Sequence, residues 1–365
     1  MAIFIFLLNF IFLLFISIKV LGKYYKPSYR NELLDAFRGL LAPLVFIHHF
    51  ILTYYWKTEG GWARPNDRLV SNLGSIPVSL FFMITGYLFI KKISSTKVSW
   101  VQLLINRVLR VYPMYLLLII LIYITFLCLN KHTTNYHDVI NSLRHGFSFI
   151  LSPISGFNIG RVIAGAQWTL AYEAIFYFSL PIIYILISRK LSLISIVSSI
   201  PFFFVLNYFH KNTIIFNKLF ILFAIGGACW YFSEKYSKII NSSLAGLLSL
   251  IITTLSFLLT DSYSYAQMII VGMLFILVCS GNDMLGLLRA KGLVVLGDMS
   301  YSFYLTHGII IYYAFSVFKL QETSLPYLYT FSALLPVIMA LIILLSYFTN
   351  KIIEQPFIRL SRKIK

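Results

Sequence analysis

The sequence predicts an all-α protein, a polytopic transmembrane helical bundle of about 11 spans, and three observations predict it. Of 365 residues, 59% are hydrophobic and only 12% charged, with a mean hydropathy of +0.84. Apolar runs of roughly 18 to 22 residues recur along the whole length, enough for each to cross a hydrocarbon core of about 30 Å as a helix. Lys and Arg concentrate in alternate loops, the pattern by which charge orients a helical protein in a bilayer.

The spans fall near 2–20, 34–55, 74–91, 108–129, 168–187, 191–209, 214–232, 239–260, 264–281, 296–317 and 327–349. The first run, "AIFIFLLNFIFLLFISIKV", lacks a basic leader and a small-residue cleavage site, so residues 1–22 read as a retained anchor rather than a removed signal peptide. One set of loops holds Lys23, Lys26 and Arg30; Lys91, Lys92, Lys97 and Arg107; Arg189 and Lys190; Lys235 and Lys238; Arg289 and Lys291. The tail "KIIEQPFIRLSRKIK" lies on the same side, and the opposite loops carry only scattered bases such as Arg64 and Lys131. That asymmetry places the C-terminus in the cytoplasm and the N-terminus outside. The longest connection, 130–167, contains the turn-rich "SPISGFNIG" and is read as an external loop.

The net charge of +18 does not imply nucleic acid, because its basic residues alternate between loops instead of forming one basic surface. Cys128, Cys229 and Cys279 each lie inside an apolar run without metal or disulfide spacing. No fixed-period repeat is visible, which disfavours transporters built from duplicated halves.

An ionisable side chain within a span costs roughly 2.5 to 3.5 kcal/mol on insertion scales, so each needs a reason. Three stretches contain such groups. In "LLDAFRGLLAPLVFIHHF", eleven helical steps separate Arg38 from His49, about 16 Å along the axis and only about 20° in azimuth, so both share a face. His48 points about 100° away. Pro43 between them frees the carbonyl of Gly39, and a local kink or water-lined pocket is expected there. In "QWTLAYEAIFYF", Thr169, Glu173 and Tyr177 share a face. In "LGDMSYSFYLTH", Ser300, Tyr304 and His307 form one stripe at steps of four and three. Facing one another, these helices would make a polar track through the bilayer. A transporter or flippase for a glycan or lipid-linked intermediate needs such a track, and so does an enzyme with a cytoplasmic donor and an external acceptor.

The same stretches carry six motifs in order: "LDAFRGLLAPLVFIHH", with Arg38, ten residues, then His49; "PVSLFFMITGYLF"; "RVLRVYPMY", with Arg107, Arg110 and Pro113; "WTLAYEAIFYF", with Trp168 and Glu173; "GDMSYSFYLTH"; and "IEQPF". Together they resemble acyltransferase family 3, membrane proteins that O-acylate bacterial surface polysaccharides. One departure is Thr85, where that family commonly has Ser. The resemblance implies a ten-helix acyltransferase domain over 31–360, preceded by the extra N-terminal helix, in the bacterial cytoplasmic (inner) membrane.

It also implies transfer of an acyl group, most often acetyl, from acetyl-CoA or another acyl-CoA to a sugar hydroxyl of a surface glycan or its lipid-linked precursor, with no metal. An imidazole suits proton removal from that hydroxyl, which assigns His49 as general base or as a transient acyl carrier. Glu173 is expected to fix the imidazole tautomer if the two meet. Arg38 completes the catalytic set, and with Arg107 and Arg110 it is suited to the coenzyme phosphates. His307, Tyr304, Ser300 and Trp168 are expected to line the substrate route, with His307 as the base in an alternative arrangement.

Overall fold

A computed structural model of the protein describes residues 2–27, 31–62, 67–95, 98–129, 135–188, 193–212, 217–240, 243–322 and 327–364. The expected loop bases Arg30, Arg64, Lys97, Lys131, Arg189 and Lys190 lie outside these. The described residues form helices α1 (Ala2–Gly22), α2 (Glu32–Glu59), α3 (Arg68–Ser95), α4 (Trp100–Leu129), α5 (Tyr136–Gly146), α6 (Trp168–Ser188), α7 (Leu193–Asn212) and α8 (Phe220–Ile240). They continue as α9 (Ser243–Leu259), α10 (Tyr265–Cys279), α11 (Lys291–Asp298), α12 (Ser300–Tyr312), α13 (Tyr327–Thr349) and α14 (Gln355–Lys363).

The all-α class expected from the sequence is what forms. Among the described residues, five helices are long and apolar enough to cross a membrane, or six if the bent pair α11–α12 counts as one. Two further apolar helices, Leu244–Leu259 and Tyr265–Cys279, are shorter, so the described residues account for five or six of the expected eleven crossings. The expected span at 296–317 is broken: α11 and α12 meet at 72° around Met299. Within the expected external loop, α5 forms with Asn135 capping its first turn and Arg144 and His145 in its last. It has too few apolar residues to register as a span, but Val139, Ser142 and Gly146 are buried.

Helix ends also exceed the apolar runs. α2 begins at an Asn31 cap, whose side chain accepts from the Leu34 N–H, with Glu32 and Asp35 in the positive first turn. It runs unbroken through Pro43 to Gly60, whose left-handed backbone ends it. α4 begins before the expected loop residue Arg107, which is helical.

The chain folds as two compact units, one of 1–81 with 231–348 and the other of 82–230 with 349–365. In the first unit the short α11 packs against both α1 and α2. Glycines make this possible: a β-carbon at Gly39 would overlap the Leu293 carbonyl, one at Gly297 the Asp35 carbonyl, and one at Gly292 the Ile18 carbonyl. Such backbone-to-backbone approach holds apolar helices together where no water is available to drive association. In the second unit Gly86 lies against the Phe223 carbonyl and Gly226 against the Met83 carbonyl, by the same device. There α14 packs on α4, where the Gln102 side chain donates to the Ser361 carbonyl at 3.0 Å.

Replacing Gly297 by Val forces α11 off α2 and is expected to lower the yield of monodisperse detergent-solubilised protein severalfold. Replacing Gly61 by Ala, where a β-carbon meets nothing within 4 Å, should leave the size-exclusion profile unchanged. Equal yields from the two variants would refute the glycine contact.

Candidate active site

The first unit carries Arg38, His49, Ser300, Tyr304 and His307. On the first turns of α2, the Arg38 guanidinium donates to Asp35 at 3.1 Å, and the Asp35 side chain is almost wholly buried. The other Asp35 carboxylate oxygen is buried with no hydrogen-bond partner among the described residues. Asp35 has no place in the sequence reading, although its i, i+3 spacing to Arg38 is a signal for this pair.

Three turns further along, the two histidines of α2 separate as their azimuths require. His48 is buried, and its Nδ1 lies 2.8 Å from the Val70 carbonyl of α3. His49 is half-buried and stacks on His307 of α12, ring centroids 5.2 Å apart and planes 28° apart. The His307 side chain has no solvent exposure, and its ring nitrogens lie near the Phe303 and Tyr304 carbonyls of the preceding turn without a well-formed hydrogen bond among the described residues. The Tyr304 ring is 5.8 Å from His307 and 6.3 Å from Phe81. Ser300 is buried at the start of the same helix. Pairing the stripe on α12 with the C-terminal half of α2 is thus a property of the folded first unit, where α2 and α12 pack directly.

The second unit carries Arg107, Arg110, Trp168 and Glu173. Tyr177, one turn beyond Glu173, donates its phenolic hydrogen to the carboxylate at 2.5 Å. The Arg107 guanidinium sits over the Phe89 ring at 4.8 Å and near the Tyr177 ring at 5.9 Å. Glu173 and Arg110 are both close enough to act on Arg107 through their charges. The result is a connected Glu173–Tyr177–Arg107 cluster. The sequence had grouped Tyr177 with Glu173 by helical spacing, while its link to α4 required the fold. Trp168 packs edge-on against Phe82 and Tyr172, at 6.0 and 5.4 Å, within an aromatic layer that also contains Phe223. The structure therefore brings His49, His307 and Tyr304 together, and separately Glu173 with Arg107 and Arg110. Glu173 and His49 belong to different units.

Imidazoles, guanidiniums and carboxylates held among apolar helices define a membrane protein with ionisable groups inside its helices. The acyltransferase domain model of acyltransferase family 3 matches residues 31–350, and the chain belongs to that family. It is a membrane acyltransferase by that membership. The curated proteins gave no match, and neither did the solved structures.

Removing the phenol in Tyr177→Phe is expected to cost about 1 kcal/mol, within the range for an intramembrane hydrogen bond to a charged group. The measurement is a double-mutant cycle with Glu173→Ala, which removes the acceptor, read by thermal unfolding of the purified protein. Strict additivity of the two changes would show that the bond contributes nothing.

Proposed function

We propose that the protein transfers an acyl group, acetyl in the simplest case, from acyl-coenzyme A to a sugar hydroxyl of a surface glycan or its lipid-linked precursor. The single observation supporting chemistry at this place is the His49–His307 stack, with His307 wholly buried and both its ring nitrogens without a well-formed hydrogen bond among the described residues. A buried polar group normally finds a hydrogen-bond partner, and one left open marks a position where a substrate or water completes the set. Family membership supplies the reaction class.

In this reading His49 removes the proton from the attacking hydroxyl as its oxygen bonds to the thioester carbonyl carbon. The tetrahedral intermediate then expels the coenzyme thiolate, and the imidazolium returns its proton to that sulfur. Ester and free thiol are the products, so atoms and charge balance. Formation of an acyl-imidazole on His49 followed by transfer to the hydroxyl is the two-step version of the same chemistry. His307 and Tyr304 line the route of the acyl group, with Ser300 at the bend below and Trp168 as a further substrate contact.

Arg38, Arg107 and Arg110 are assigned to the coenzyme phosphates. The Arg38 guanidinium pairs with Asp35 at 3.1 Å, and its planar fork has the shape that suits an anionic group. Glu173 and Tyr177 order Arg107, a role supported by their contacts within the second unit. A donor on the cytoplasmic face accords with the basic loops and tail, and places the protein in the bacterial cytoplasmic membrane with its C-terminus inside.

Proteoliposomes containing the protein, acetyl-coenzyme A and a lipid-linked oligosaccharide acceptor should release thiol in step with acceptor acetylation. His49→Gln should reduce this at least about a hundredfold, the upper part of the range for losing a general base, with insertion and yield unchanged. Movement of the acceptor across the bilayer without thiol release would instead identify a transporter.

A further inference from the structure

Next to His49 lies a residue that the proposed chemistry does not use. The His48 ring is held on two sides by the start of α3. On one side the Val70 carbonyl, which can only accept, is 2.8 Å from Nδ1, so this nitrogen carries the hydrogen and a neutral ring has its lone pair on Nε2. On the other side is Gly74. A β-carbon there would stand 2.7 Å from Cδ2, 2.8 Å from Cγ and 3.0 Å from Nε2 of His48. Gly74 lies inside α3, where glycine is the poorer helix former, so space for the ring is the reason for it.

The stretch of α3 that makes this clamp is itself fixed. Between Val70 and Gly74 is Asn72, fully buried, whose Nδ2 donates to the Thr260 carbonyl at 2.7 Å and the Phe257 carbonyl at 3.0 Å. Those carbonyls belong to the end of α9, where a helix leaves acceptors unsatisfied. The Asn72 Oδ1 accepts from Gln267 Nε2 at 2.8 Å and from Ser262 at 3.0 Å. Gln267 is also fully buried, and its Oε1 accepts from the Tyr263 N–H at 2.8 Å. A shift or rotation of α3 would break several of these bonds at once.

The clamped ring presents itself edge-on to His49, centroids 5.0 Å apart and planes at 68°, while the other neighbouring ring is His307. We infer that His48 is a positioning residue: held by Val70 and Gly74, its ring sets the side-chain torsion of His49 so that the second imidazole stays stacked on His307. The inference rests on the reading of His49 as the reacting imidazole. The alternative is that His48 only fills space beside α3.

Three measurements on the full-length protein in nanodiscs separate these. In histidine ¹⁵N spectra the wild type should show one neutral ring with hydrogen on Nδ1, and that signal should disappear in His48→Phe. His48→Phe, which keeps an aromatic ring and loses the bond, should lower kcat about tenfold to a hundredfold with KM for acetyl-coenzyme A within twofold. His48→Asn, whose amide can still donate to Val70, should recover most of the loss. Gly74→Ala should lower kcat when His48 is present and add nothing in a His48→Ala background.

Wild-type kcat in His48→Phe, or an equal effect of Gly74→Ala in both backgrounds, overturns the positioning role. A His48 ring protonated on Nε2 overturns it as well. If the wild type consumes no thioester, the acyltransfer reading fails, and positioning is then judged by the rate at which diethylpyrocarbonate modifies His49. A severalfold change in His48→Phe supports positioning, and an unchanged rate refutes it.

Discussion

The structure depends on one constraint: within an apolar helical bundle, each imidazole, guanidinium and amide must find its partner inside the protein, because hydrocarbon offers none. Most of the polar groups described here obey it through short, directional contacts. Arg38 takes Asp35, Tyr177 takes Glu173, and Asn72 and Gln267 share the carbonyls and hydroxyls at the end of α9. His307 departs from it, as do the second Asp35 carboxylate oxygen and the buried Ser79 and Ser280 hydroxyls among the described residues. The His307 ring is fully buried and stacked on His49, yet both nitrogens lack a well-formed hydrogen bond among the described residues.

Close helix approach is the means by which the constraint is met. Gly39, Gly292 and Gly297 let α11 lie against the backbones of α1 and α2, and Gly74 gives up its side-chain volume to an imidazole. These glycines have helical neighbours and are not needed for turns. They set distances instead, so that a three-turn separation between Arg38 and His49 is measured along a helix whose first turns are fixed by α11. The broken α11–α12 pair adds to this: the bend around Met299 allows α12 to start a new direction, with Ser300, Tyr304 and His307 along it.

Each of the two units holds its own polar cluster. One holds the imidazole pair and the Asp35–Arg38 ion pair. The other holds an arginine ordered by a phenol and a carboxylate, with an aromatic face beneath it. Proton transfer needs the former type of group, and phosphate recognition the latter.

Much of this was legible in the sequence, for physical reasons that can be stated. Composition and run length determined the all-α membrane class, because crossing hydrocarbon demands long apolar segments. Helical periodicity alone separated His48 from His49 and aligned Ser300, Tyr304 and His307, since azimuth follows from residue number. Ordered motifs gave the acyltransferase family. Helix ends were less legible: α3 and α4 run past their apolar runs into polar residues, and α5 has no hydropathy signal because its buried face is narrow. Only the tertiary structure decided that His307 meets His49, that Val70 and Gly74 hold His48, and that Arg107 rests on Phe89. Those contacts join residues far apart in the chain or on different helices, and a one-dimensional pattern specifies which face a residue occupies but not which helix packs against that face.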